Sequence, residues 1–218
     1  MGTPVKAILL DFNNTISPAN FLASFEQHAA ELSMPPADMV QLYLENGLLK
    51  SVMLGKITEE QFWKHLSSIT GTPLGVLMKV AETIRESRRL DPEVMCLVHR
   101  LKKAYRLALL TDNVGQTFDF WVEKYRLWDY FDVIVNSAEH GLLKGDRRIY
   151  SLCLQELECK PEEAVLVDDS PSNIKLAQDL GLKTILFENA KQLFDELNVL
   201  GLMASTASEN FGQDNDPL

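Results

Sequence analysis

The stretch "AILLDFNNTIS", residues 7–17, decides the fold. The apolar run Ala7-Ile8-Leu9-Leu10 stops abruptly at Asp11, and polar, turn-forming residues follow. A short continuous apolar run bounded in this way predicts a strand buried on both faces. The same form recurs in "YRLALL" (105–110), "FDVIVN" (131–136), "EAVLV" (163–167) and "KTILF" (183–187). Segments of helical length and period separate the later runs: "TFDFWVEKYRLW" (117–128), "RRIYSLCLQELE" (147–158) and "SPSNIKLAQDLG" (170–181). Strands alternating with helices predict an α/β fold, a doubly wound parallel sheet covered on both faces. Asp91-Pro92 opens a further helix, with Asp as the cap and Pro in the first turn.

Residues 18–90 read differently. They hold no convincing strand, and "NFLASFEQHAAEL", "PADMVQLYLEN", "TEEQFWKHLSSI" and "LGVLMKVAETIRES" are amphipathic helical segments. Thr58-x-x-Gln61 has the form of a capping box. The expected organisation is a core of residues 1–17 and 91–204, a small all-helical insertion over 18–90, and a disordered acidic tail over 205–218. No internal repeat interrupts this plan.

The chain has 218 residues and a net charge of −10. That balance argues against sequence-independent nucleic-acid binding and against docking on an anionic membrane. Residues 5–10 are too few for a signal peptide or a membrane span. Lys6 breaks the myristoylation pattern after Met-Gly. Asn13-Asn14-Thr15 fits a glycosylation sequon, which carries no weight in a chain expected to stay inside the cell. Cys96, Cys153 and Cys159 lack metal-ligand spacing and read as reduced thiols, which suits a cytoplasmic address. The sequence leaves monomer and homodimer both open.

Three apolar strands end alike. "AILL" runs into Asp11, "LALL" into Thr111-Asp112-Asn113, and "AVLV" into Asp168-Asp169. In an open parallel sheet, ligands bind outside the carboxyl ends of the strands. Carboxylates gathered there repel unless a cation sits among them, and oxygen ligands of this kind suit Mg²⁺, which often shares phosphate ligands. Lys144 in "GLLKGDRRIY" falls between the second and third acidic strand ends and could supply a fixed positive charge.

Taken together, "DFNNT" (11–15), "LLTDN" (109–113), "KGDRRIY" (144–150) and "VLVDDSPSNIKLA" (165–177) resemble the haloacid dehalogenase superfamily of hydrolases. The resemblance covers about residues 5–190 and implies a Rossmann-like core with an inserted helical cap, as in the superfamily's subfamily I. "LGKITEEQFW" (54–63) and the "RIY" after Lys144 look most like the branch holding sugar-phosphate phosphatases and the N-terminal phosphatase domain of epoxide hydrolases. The resemblance implies a small phosphorylated metabolite as substrate. It implies Asp11 as nucleophile, and Mg²⁺ held by Asp11, the backbone carbonyl of Asn13, and Asp168, with Asp169 helping. It implies that Thr111, with Asp112 and Asn113 beside it, and Lys144 hold the phosphate.

Asn13 departs from the family pattern, which has a second Asp here to protonate the leaving group and activate water. An Asp-to-Asn trap would look the same, but Asn14, where Gly is common, favours a natural sequence. An amide cannot do acid–base work, which is typically worth about 10²–10⁴-fold. The loss matters least for good leaving groups such as acyl, aryl or anomeric sugar phosphates. Two alternatives stay open: a non-catalytic phosphate- or partner-binding protein, and a 2-haloacid dehalogenase, although the latter has no use for Asp168-Asp169. His28, His65, His99 and His140 read as surface or structural residues, and Arg147 and Arg148 as solvated. Trp63, Trp121 and Trp128 read as core, Thr15 as a brace of its loop, and Asn173 as structural or orienting an acid.

Overall fold

A computed structural model describes residues 3–45 and 47–203. The tail expected over 205–218 lies outside the described residues. Strands β1 (Ala7–Leu10), β2 (Arg106–Thr111), β3 (Val133–Asn136), β4 (Ala164–Asp168) and β5 (Lys183–Leu186) form one parallel sheet in the order β3-β2-β1-β4-β5. The strand that opens the chain is thus central, with β2 and β4 on either side.

Side chains alternate across a strand. Ile8 and Leu10 face one core layer, together with Leu97 and Leu101 of α6 (Pro92–Lys102). Phe118 and Trp121 of α7 (Gly115–Lys124) and Leu193 and Leu197 of α11 (Ala190–Val199) complete that layer. Ala7 and Leu9 face the other, made with α9 (Arg147–Glu156) and α10 (Pro171–Asp179). Both faces of the sheet are therefore covered, as the unbroken apolar runs require. Asp91 caps α6, accepting from the backbone N–H of Glu93 and Val94 at 2.9 and 3.1 Å.

Between β1 and α6 lie α1 (Phe21–Glu26), α2 (Pro36–Glu45), α3 (Leu48–Met53), α4 (Glu59–Thr70) and α5 (Leu74–Ser87). Phe25, Met39, Leu66, Leu77 and Val80 build a separate apolar cluster among them. The capping box at α4 forms as expected: Gln61 N–H donates to Thr58 Oγ1 at 3.2 Å, and Thr58 N–H to Gln61 Oε1 at 2.9 Å. The loop after α3 meets α8 (Ser137–His140), where a Cβ on Gly55 would collide with the Ala138 carbonyl oxygen.

Local expectations were corrected in two places. The helix expected over 117–128 stops at Lys124, because Arg126 turns into the left-handed region at φ 48°. Trp128, expected in the core, therefore sits in a short 3₁₀ turn and is 47% exposed. The segment 20–32 also breaks, into α1 and a 3₁₀ turn at Ala29–Glu31.

Candidate active site

The register of the central strands brings the acidic ends together. Leu10 pairs with Leu109 and with Val167, so Asp11 falls level with Leu110 and Asp168. Asp11 N–H still donates to the Val167 carbonyl at 3.0 Å, which fixes the residue at the sheet edge. Its Oδ1 accepts from Phe12 N–H at 2.7 Å and from Lys144 Nζ at 2.7 Å. Lys144 Nζ also donates to Asp168 Oδ2 at 2.8 Å. All three side chains are buried.

Burial pushes the Asp11 carboxyl up to about 7; the charge of Asp168 adds to this, and Lys144 opposes it. Burial works against the Lys144 ammonium, but Asp11 and Asp168 outweigh it and raise its pKa. The lysine is thus a fixed counter-ion between two carboxylates. Its loop is held by Asp112, whose Oδ1 accepts the Lys144 backbone N–H at 2.9 Å. Asp112 therefore spends its carboxylate on positioning the lysine.

Asp168 is oriented from the next helix. Asn173 Nδ2 donates to both of its oxygens, at 3.0 and 3.2 Å, and Ser170 N–H donates to Oδ1 at 2.9 Å. Asp169 Oδ2 accepts from Asn14 Nδ2 at 3.2 Å. Asn14 has φ 55°, a backbone conformation that glycine and asparagine tolerate best. That explains why an asparagine can stand there.

Asp11, Asp168 and Asp169 each offer an oxygen, all within 4.8 Å of one another. A hard divalent cation fits such a donor set. Thr111 Oγ1 and Asn113 Nδ2 are buried and have no hydrogen-bond partner among the described residues. Buried polar atoms are rarely left so, and both could donate to an anionic oxygen. The edge thus combines a cation site with unused donors. Thr15, expected to brace its loop, also leaves its buried hydroxyl without a partner.

Asn13 is held at both ends. Its Nδ2 donates to the Asp112 carbonyl at 3.2 Å, and its Oδ1 accepts from Nη2 of Arg88. Sequence reasoning missed Arg88, which follows α5 and is only 5% exposed. Its guanidinium lies 5.0 Å from the Trp121 ring centroid and 5.5 Å from that of Phe12. Burial pushes its pKa down to about 10, against the opposing charges of Tyr43 and Asp11, so it stays cationic at neutral pH. Nothing in "ESRRL" separates a buried arginine from a solvated one; only the position next to Asp91-Pro92, at the return to the sheet, was a hint.

A cavity of about 140 Å³ opens above Asn13 and Asn113, walled by Phe21, Tyr43, Trp63 and Trp121. Trp63 and Trp121, read as core, are buried but also face this space. Glu59 ties the two sides together, accepting from Thr117 N–H and Thr117 Oγ1, each at 2.7 Å. His65, His99 and His140 are exposed, and His28 bonds Thr83 at 2.9 Å, in line with their expected roles. Arg147 and Arg148 are exposed as well.

The chain is 24% identical over 211 residues to bifunctional epoxide hydrolase 2 of Mus musculus, covering 88% of this chain and 38% of that one. It spans under half the length of the first curated relatives it matches. It is 25% identical over 203 residues to D-ribitol-5-phosphate phosphatase of Bacteroides thetaiotaomicron, covering 90% of this chain and 98% of that one. It shares its fold with a HAD family enzyme of B. thetaiotaomicron solved with magnesium and inorganic phosphate. There the TM-score is 0.70 at 21% identity, over 87% of this chain and 99% of that one. Among the described residues, no helix is long and apolar enough to cross a membrane. Residues 8–187 match the haloacid dehalogenase-like hydrolase family, and with the strand-end acids, the buried lysine and the helical insertion in place, the chain belongs to that family.

Proposed function

We propose that this chain is a Mg²⁺-dependent phosphatase that hydrolyses a small phosphorylated metabolite through an aspartyl-phosphate intermediate. The observation that carries the reading is the convergence of Asp11, Asp168 and Asp169 within 4.8 Å, beside Lys144 and two unused buried donors. The two B. thetaiotaomicron relatives, one a phosphatase by name and one solved with magnesium and phosphate, support it.

Asp11 attacks phosphorus with Oδ2, since Oδ1 is taken by Phe12 N–H and Lys144. The bond from phosphorus to the leaving oxygen breaks, and that oxygen departs with the bonding pair. Water then attacks phosphorus as its bond to Asp11 Oδ2 breaks, a proton passes to solvent, and Asp11 and phosphate are freed. This splits one hard step into two. Thr111 and Asn113 donate to phosphate oxygens, while Lys144 offsets the charge on the nucleophile and the phosphate. Asp11, Asp168, Asp169 and the Asn13 carbonyl would hold magnesium, which would supply the remaining charge compensation at the phosphate.

Helices α1–α5 act as a cap, and the aromatic cavity beneath them receives the leaving group. Its lining favours a small, largely apolar leaving group. The absence of an acid at Asn13 favours a good one. The free thiols at Cys96, Cys153 and Cys159 support a cytoplasmic address. A dehalogenase reading gains nothing from the three clustered carboxylates.

The test is hydrolysis of p-nitrophenyl phosphate and acetyl phosphate with Mg²⁺ or with EDTA, in native and Asp11→Asn protein. Turnover that needs both the metal and Asp11 is expected. Halide release from a 2-haloacid without metal, and no phosphate release, would overturn the reading.

A further inference from the structure

We propose that Arg88 is a positioning residue that locks Asn13 as a fixed hydrogen-bond donor to the leaving oxygen, in the place where the family pattern has a second Asp. The inference rests on the phosphatase reading above.

The orientation of the Asn13 amide is dictated twice. A guanidinium has donors only, so the atom facing Arg88 must be Oδ1. A backbone carbonyl only accepts, so the atom facing Asp112 must be Nδ2. Each partner alone would choose between the two amide flips, and both choose the same one. Nδ2 carries two hydrogens. One is given to the Asp112 carbonyl at 3.2 Å, the second has no acceptor among the described residues, and Asn13 itself lines the cavity. A locked amide N–H at that point meets the oxygen that leaves phosphorus.

Arg88 is built to hold this geometry. Its ring contacts with Trp121 and Phe12 fix the guanidinium plane, and Nη1 reaches the Pro18 carbonyl at 3.4 Å. Its own carbonyl accepts from the Tyr125 hydroxyl and from Arg89 Nη1, the latter at 2.8 Å. The cation also draws electron density from the amide, which makes its N–H a stronger donor. No proton is transferred from Asn13. The leaving oxygen departs as an anion, stabilised by the N–H in the manner of an oxyanion hole, and takes its proton from solvent afterwards.

The experiment is a series of aryl phosphates with leaving phenols of graded acidity, together with one alkyl phosphate. Native protein is compared with Arg88→Met, Arg88→Lys and Asn13→Leu. Asn13→Leu is expected to lower kcat about 10²–10³-fold with KM little changed, and Arg88→Met, which acts through it, to lower kcat by no more than that. The loss should grow as the phenol becomes less acidic, and the double variant should be no worse than the poorer single one. Arg88→Lys, which keeps a charged donor, should recover part of the rate. Unchanged leaving-group dependence in Arg88→Met would overturn the proposal.

Asn13→Leu gives a second reading should Arg88→Met fail to fold: unchanged leaving-group dependence there would overturn the proposal. Native protein that turns over no phosphate ester at all would overturn the phosphatase reading, and this inference with it.

Discussion

Replacing Lys144 by Met removes the cation seated between two buried carboxylates. Lys144 is 3% exposed, and its Nζ lies 2.7 Å from Asp11 and 2.8 Å from Asp168, which are 3% and 0% exposed. Methionine fills much the same volume, so the perturbation is mainly electrostatic. Breaking a buried ion pair from one side typically costs about 3–5 kcal/mol. In a chain of this size each kcal/mol moves Tm by about 2–4 °C, so a drop of about 6–20 °C is expected without metal. The carboxylates have an escape, because burial already pushes Asp11 up to about 7 and the lysine's removal raises it further.

Between the unfolded carboxyl value of about 4 and that raised value, the folded variant binds more protons than the unfolded chain. Its stability therefore falls as pH rises through this window. Native protein shares this fall up to its own Asp11 value of about 7, so the deficit should widen only above that and be larger at about pH 8 than at about pH 5. Magnesium, entering the same cluster of Asp11, Asp168 and Asp169, should restore part of it. Thermal melts of native and Lys144→Met protein, at both pH values and with Mg²⁺ or EDTA, provide the assay. Coincident melting of the two proteins at high pH in EDTA would refute the reasoning.

Thr111→Val should lower kcat while leaving Tm unchanged or slightly raised, because the buried hydroxyl has no partner to lose; steady-state kinetics beside a melt would show it. Apparent Mg²⁺ affinity should weaken as pH falls through about 7, since protons compete for Asp11; calorimetric titration at several pH values measures this directly. Glu59→Ala removes two 2.7 Å hydrogen bonds between the cap and α7. It should destabilise by about 1.5–3 kcal/mol and raise KM more than it lowers kcat, as denaturant melts and kinetics would reveal.

The parallel core was legible because β1, β2 and β4 are apolar without interruption, a pattern that only burial on both faces explains. The strand-end acids were legible for the same reason, since an abrupt Asp after such a run marks the sheet edge. Helix ends were less so. Arg126 adopts a left-handed conformation without being glycine, and that turn put Trp128 on the surface. Helix α3 escaped because "LLKSVM" is short and its preceding residue, Gly47, offers no side-chain cap.

Arg88 escaped for a different reason. Its burial depends on Phe12 and Trp121, residues far away in sequence that stack on each other with ring centroids 5.5 Å apart. Asn13 was visible as an anomaly, but the partner that holds its amide was not. The cavity lining was equally hidden, because an amphipathic pattern does not separate a side chain facing core from one facing a space between helices.

The most direct test is to react the protein briefly with acetyl phosphate labelled with radioactive phosphorus, in Mg²⁺, then quench in acid and map the label. The account predicts label on the peptide containing Asp11, released by hydroxylamine and absent from Asp11→Asn protein. Phosphate release with no label on that peptide, or label that persists in Asp11→Asn, would contradict it.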